Sequence, residues 1–247
     1  MCRHLGYLGP ERSVGDLLCR GENSMLRQSW APRDMRGGGT INADGFGVGW
    51  WGANGFSRYR SDQPMWSDPV IGDMLPGIRS HAVVAASRSA TVGMPVQRSA
   101  CAPFADDTWA FSHNGVVRGW LESLSVLAEK LPASELLQLE APTDSAALWL
   151  LLQHALASED PEVALTSLVL DVAEAAPGSR LNMLLGNGHE LWATTWEHSL
   201  SVIVDERHAI VASEPYDDNP EWQSIPDRHI VTARPGHLLV TPLEIGA

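Results

Sequence analysis

Apolar and polar positions mark out strands at both ends of the chain and helices in its middle. Cys2-Arg3-His4-Leu5-Gly6-Tyr7-Leu8 alternates with the two-residue period of a strand, and Ser13 stands where an N-cap would open a helix through Leu17 and Leu18. Between Asn42 and Trp51, glycines at 45, 47 and 49 alternate with Phe46, Val48 and Trp50. That pattern predicts a turn into a strand approached closely by another backbone, with a hairpin partner at Gly55 to Tyr59. Ala82 to Ala86 is a run of small apolar residues, the mark of a strand buried on both faces. Thr108 to Ser112 predicts a short strand that ends at His113-Asn114-Gly115. From Thr143 to Ala157, apolar residues at 147, 148, 151, 152 and 155 recur at helical spacing behind a Thr143 or Asp144 cap. A second helix is predicted over Val163 to Ala176, before Pro177-Gly178. Strands follow at Leu181 to Leu185, Glu190 to Trp196, Leu200 to Val204, Ala209 to Ala212, His229 to Ala233 and His237 to Val240. Such an α+β order suits two packed sheets covered by helices.

No break in composition divides the 247 residues, and no repeat or low-complexity stretch occurs, so one domain spanning 1–247 is expected. Hydrophobic residues make up 44% of the chain and include ten Trp, enough for a sizeable core. A formal charge of −13 repels phosphate backbones and anionic lipid alike, which argues against nucleic acid as a partner. Cys2, Cys19 and Cys101 are odd in number and far apart, a usage that fits a reducing cytoplasm and makes neither a disulfide framework nor a zinc ribbon. The N-terminus lacks a signal-peptide core, and the longest apolar stretch, Ala146 to Leu152, is too short to span a bilayer.

Cys2 carries the sharpest chemistry. Removal of Met1 would leave a thiol and a free α-amine on one residue. An α-amine ordinarily titrates at about 7.7–8.0 and a thiol at about 8.5, so the amine can serve as base near neutral pH. Arg88 follows the buried strand and offers a guanidinium that can meet a carboxylate with two hydrogen bonds, or simply face water. Asn114-Gly115 is the dipeptide of a hairpin turn, yet at a strand end it also offers an amide and a glycine N–H to a developing oxyanion. Asp144 reads as a helix cap or as a carboxylate for an ammonium group. His4, His81 and His113 would have to converge to hold a metal, but no histidine pair has ligand spacing on a helix; neither a metal nor a cofactor is expected.

The order of these residues resembles the class II glutamine amidotransferases, N-terminal-nucleophile hydrolases. The resemblance runs over nearly the whole chain. It implies a four-layer αββα sandwich and a small γ-glutamyl substrate, with Cys2 attacking its γ-carbonyl. Arg88 and Thr91, in Arg88-Ser89-Ala90-Thr91, would line the α-carboxylate pocket, Asn114 and Gly115 would form the oxyanion hole, and Asp144 would bind the α-ammonium. The family's frequent His-Pro is here Ala102-Pro103, and the Trp and His that flank its Thr are Ser89 and Val92. No synthase domain is expected in the chain to receive ammonia.

The segments 28–33, 88–95, 212–218 and 225–229 further resemble a stand-alone hydrolase branch of the family. Its substrate joins the γ-glutamyl group to a sulfoxide bearing an imidazole, a carboxylate and a trimethylammonium. Aromatic faces hold quaternary ammonium groups, and Trp30, in a loop-like segment, is the first candidate for that task. A general glutaminase that releases ammonia is the other enzyme reading.

Overall fold

The computed structural model describes residues 2–35 and 41–244; Met1, on which removal of the initiator depends, lies outside them. Thirteen strands and seven α-helices follow in chain order among the described residues. The first stretch holds β1 (Arg3–Ser13), α1 (Val14–Cys19), α2 (Met25–Gln28), β2 (Phe46–Gly52), β3 (Gly55–Ser61), α3 (Val70–Asp73) and β4 (Arg79–Ser87). Next come β5 (Phe104–Ala105), β6 (Ala110–Val116), α4 (Trp120–Ala128), α5 (Ala133–Leu136), α6 (Asp144–Leu156) and α7 (Pro161–Ala175). The chain then runs through β7 (Arg180–Gly186), β8 (Leu191–Thr195), β9 (Ser201–Val204), β10 (Ala209–Ala212), β11 (Gln223–Ser224), β12 (His229–Arg234) and β13 (His237–Pro242).

Two antiparallel sheets result, one ordered β11-β9-β10-β1-β4-β2-β3 and the other β13-β12-β8-β7-β6-β5. Side-chain alternation stacks them into four layers. Val83 and Ala85 of β4 pack outward with Leu17 and Leu18 of α1, Met25 of α2 and Val70 of α3. Ala82 and Val84 pack inward on Leu184, Ala193 and Val231 of the second sheet. Beyond that sheet, Met183, Leu185 and Trp192 meet Leu148 and Leu152 of α6 and Leu165 and Val169 of α7. A strand buried on both faces cannot alternate apolar with polar, which is why β4 reads as a continuous apolar run. Each buried Val, Leu or Met in these layers contributes about 1.5–3 kcal/mol on burial.

Helix starts follow local chemistry. Ser13 caps α1 by accepting from the Asp16 N–H, Thr143 caps α6 by accepting from the Ala146 N–H, and Asp160 caps α7. Thr143, not Asp144, is therefore the cap of α6. In β2, a side chain at Gly47 would run into the Ala102 carbonyl, in keeping with the close backbone approach predicted there. One prediction needs correction: His113, Asn114 and Gly115 lie within β6, paired with Met183, Asn182 and Leu181 of β7, so the Asn-Gly dipeptide makes no hairpin turn. The register with β7 carries the strand through it. The helix α4 went unpredicted although Trp120, Leu124 and Leu127 recur at helical spacing and pack on the core; it opens at Gly119 with no side-chain cap to mark its start.

Candidate active site

In β1, Leu5 and Tyr7 pack under the outer helices and Leu8 faces the second sheet. By the same alternation Arg3 points outward, and Cys2 and His4 point between the sheets. The register pairs Arg3 with Ser87, and its continuation brings Cys2 level with Arg88. There Cys2, Arg88, Ala102, Phe104, His113 and Ser145 line a cavity of about 20 Å³. The Cys2 thiol donates weakly to the Ser89 carbonyl at 3.7 Å.

Arg88 is 9% exposed. Its backbone is tied on both sides, donating to the Gly45 carbonyl (2.8 Å) and accepting from the Asp44 N–H (3.0 Å). The Asp44 side chain accepts from the Ala90 N–H at 2.7 Å and so fixes the next turn. The guanidinium donates to the Pro95 carbonyl at 2.9 Å. No carboxylate among the described residues lies within ion-pair distance of it, so a cation without a counterion lines the same cavity as the thiol. Thr91 lies in an exposed turn that closes on Met94 and does not line the cavity.

From the second sheet, Asn114 reaches across to donate its amide to Ser213 Oγ at 2.9 Å. Ser213 Oγ in turn accepts from the His4 N–H at 3.0 Å. Asn114 is fully buried, and its amide has a second hydrogen to give. A side chain at Gly115 would overlap the Arg180 carbonyl and the His113 ring, so only glycine fits. His113 Nε2 lies 2.9 Å from the Arg180 carbonyl and Nδ1 lies 3.1 Å from Ser145 Oγ. A carbonyl can only accept, so Nε2 carries a proton; the Ser145 hydroxyl, with one hydrogen, lies between His113 Nδ1 and Asp144 Oδ1, the latter at 3.3 Å. Asp144, 4% exposed, accepts from the Ser145 N–H (2.7 Å) and the Val117 N–H (3.0 Å). These bonds hold its carboxylate between the end of β6 and the start of α6, one residue from the cavity wall. It has no basic partner within ion-pair distance among the described residues.

Burial lowers the pKa of His4 to about 3, helped by His198, His113 and Arg3, so His4 is neutral near pH 7 and is no proton donor there. The outward Arg3 is fully buried. It donates to the Cys2 carbonyl at 3.0 Å and to the Asp34 carbonyl, and pairs with Glu214 at 2.7 Å. Sequence reading passed over this anchor, although Glu214 lies inside the distinctive 212–218 segment. Ser145 and His113 were also missed as neighbours of the thiol, and Ser213 as the partner of Asn114, since sequence spacing does not show which side chains the fold brings together. Trp30 stacks edge-on against Trp66 (5.8 Å), carries the Arg27 guanidinium over its ring (5.5 Å), and lies outside the wall of the Cys2 cavity. His81 is exposed, away from His4 and His113, and no metal-ligating cluster exists among the described residues. No helix among them is long and apolar enough to cross a membrane.

A profile of the class II glutamine amidotransferases matches residues 21–207. The chain belongs to that family. As an amidotransferase-family protein it is also 43% identical over 244 residues to a γ-glutamyl-hercynylcysteine sulfoxide hydrolase from Mycolicibacterium smegmatis, covering 98% of this chain and all of that one. The protein of the same name from Mycobacterium tuberculosis is 40% identical, over 99% of this chain and 97% of its own. Among solved structures, a glutamine aminotransferase class-II domain protein from Silicibacter pomeroyi superposes with a TM-score of 0.70 at 22% identity, covering 98% of this chain and 99% of that one. The glutamine phosphoribosylpyrophosphate amidotransferase of B. subtilis superposes with a TM-score of 0.69 at 10% identity over 99% of this chain and 50% of its own. These last two likenesses speak to the αββα fold.

Proposed function

We propose that this chain hydrolyses the γ-glutamyl amide of γ-glutamyl hercynylcysteine sulfoxide, a step of ergothioneine biosynthesis, releasing glutamate and hercynylcysteine sulfoxide. The observation that carries the reading is the shared cavity of Cys2 and Arg88 in a chain alike end to end to hydrolases of that name.

With Met1 removed, the α-amine of Cys2 takes the thiol proton and the thiolate attacks the γ-carbonyl. The carbonyl oxygen becomes an oxyanion, which Asn114, through its second amide hydrogen, and the Gly115 N–H stabilise. Collapse breaks the C–N bond, the departing amine leaves with the proton from the α-ammonium, and a glutamyl thioester remains on Cys2. Water adds to the thioester as its proton passes to the α-amine, the C–S bond breaks, the departing thiolate takes that proton from the ammonium, and glutamate leaves. Arg88 pairs with the α-carboxylate and Asp144 with the α-ammonium of the glutamyl group. The resemblance would add Thr91, three residues beyond Arg88, to the carboxylate pocket.

A volume of about 20 Å³ holds about one water, so binding must widen the cavity. The Arg88 contact to Pro95 is the tie that has to yield. One assay tests the function: glutamate release from γ-glutamyl hercynylcysteine sulfoxide and from glutamine, compared as kcat/KM. A preference of a hundredfold or more for the conjugate, worth about 3 kcal/mol of remote binding, supports the reading. Equal values would favour the glutaminase.

A further inference from the structure

The cavity at Cys2 lies on the β4 flank of β1, where the glutamyl group meets Arg88. In the sheet order β10-β1-β4 the other flank belongs to β10, and that side is open. Ser213 and Glu214 continue β10 past the first residues of β1: the Ser213 N–H donates to the His4 carbonyl at 3.0 Å, and Glu214 pairs with Arg3. Beside them opens a cavity of about 670 Å³, lined among others by Arg33, Ser199, Glu214, Asp217, Asp218 and Trp222. That is the size of a small-molecule site. The two cavities lie on opposite flanks of β1 and share no lining residue, so a substrate with its scissile carbonyl at Cys2 and its glutamyl group on the β4 side would reach this one only through its departing half.

Its lining is selective in charge. Glu214 is neutralised by Arg3 at 2.7 Å and Asp218 by Arg33 at 2.9 Å. Asp217 is half-buried and has no basic side chain within ion-pair distance among the described residues. Its carboxylate instead accepts from Trp222 Nε1 at 2.8 Å and from the Asn219 N–H at 3.2 Å, which fixes the indole beside an uncompensated negative charge. Tyr216 supports the indole at 5.2 Å in a T-shaped contact. Ser199 also lines the cavity; it is 8% exposed and its hydroxyl oxygen is without a hydrogen-bond partner. An aromatic face next to one free carboxylate suits a cation too weakly hydrated to need its own hydrogen-bond acceptors. A buried hydroxyl without a partner suits an oxygen of the same ligand.

We infer that this cavity seats the departing half of the substrate, with the Trp222 ring and the Asp217 carboxylate holding a quaternary ammonium and Ser199 donating to an oxygen of the same group. The nature of the departing half rests on the hydrolase reading above; the site itself rests on the geometry of the β10 flank. Trp222 thus takes the task the sequence assigned to Trp30.

Binding can be measured without turnover. Isothermal calorimetry of the full chain with hercynine, which carries the trimethylammonium, the imidazole and the carboxylate, is compared with histidine, which lacks the methyl groups. Wild type binds hercynine more tightly than histidine. Asp217→Asn keeps an oxygen to accept from Trp222 Nε1 and removes only the charge. Both Asp217→Asn and Trp222→Leu weaken hercynine binding about tenfold or more, within the range of a desolvated cation–π contact. Equal hercynine affinity in all three proteins, or no binding to wild type, overturns the assignment. Glutamate release by wild type is followed in parallel. Hercynine binding that depends on Asp217, in a protein that releases no glutamate from the conjugate, would sink the hydrolase reading and leave the site standing.

Discussion

Replacing Glu214 with Gln removes the counterion of a guanidinium that is buried completely. Arg3 is 0% and Glu214 3% exposed, and they stand 2.7 Å apart. Gln keeps the volume but has one oxygen; turned toward Arg3, it sets its NH2 group against the Asn23 amide and the Arg33 N–H, which both donate to Glu214 Oε2 at 3.3 and 2.8 Å. It loses the charge and one acceptor. Leaving one member of a buried pair uncompensated costs about 3–5 kcal/mol, a large share of the roughly 5–15 kcal/mol that holds a domain folded. At about 2–4 °C per kcal/mol for a chain of this size, calorimetry should show Tm lower by about 6–20 °C. Arg3→Met with Glu214→Leu should recover most of that loss, because an apolar pair has no charge to desolvate. Arg3 also donates to the Cys2 carbonyl, so Glu214→Gln should lower kcat by loosening the nucleophile. A Glu214→Gln protein that melts within about 2 °C of wild type would refute the ion pair as the anchor of the β1 start.

Further expectations concern single side chains. Arg88→Lys loses the planar fork and should raise KM for the γ-glutamyl substrate about tenfold to a hundredfold, the size of a charged hydrogen bond; Asp144→Asn should act alike, and normal KM in both would place the glutamyl pocket elsewhere. Gly115→Ala forces a methyl group into the Arg180 carbonyl and should destabilise the protein or prevent its folding, as urea midpoints would show; a stable, active Gly115→Ala protein would contradict the packing of β6 on β7. His4 has a pKa near 3 in the folded state against 6.5 in the unfolded chain, so the unfolded state takes up the proton first. Its stabilising neutrality is fully present above about pH 6.5 and is lost as pH falls toward 3. At pH 5 that amounts to roughly 2 kcal/mol, which His4→Leu should remove from the difference between urea stabilities at pH 7.5 and pH 5.

Period and composition carried most strands, because residues such as Val83, Val84 and Ala85 sit in continuous apolar runs that few other structures explain. The two long helices were legible from the 3.6-residue spacing in 143–157 and the proline and glycine that close 163–176. The ends were less so: Asn114-Gly115 has turn chemistry and lies in a strand, since pairing with Asn182 and Leu181 outweighs a dipeptide's preference. Cys2 and Arg88 were legible as a pair through the resemblance, and β1–β4 pairing brings them together. Arg3 with Glu214, and Asn114 with Ser213, were not, because 211 and 99 residues separate the partners and nothing in either segment announces the other. Trp222 was hidden for the same reason, being one Trp of ten until the fold set it beside Asp217.

The catalytic claim rests on Cys2 as an N-terminal residue that becomes acylated. Acid-quenched protein taken during turnover of γ-glutamyl hercynylcysteine sulfoxide, digested and read by mass spectrometry, tests it most directly. The N-terminal peptide should begin at Cys2 without Met1 and carry one glutamyl group on that residue, and Cys2→Ala should show neither the adduct nor glutamate release. An active protein that retains Met1, an adduct on another side chain, or turnover by Cys2→Ala would contradict it.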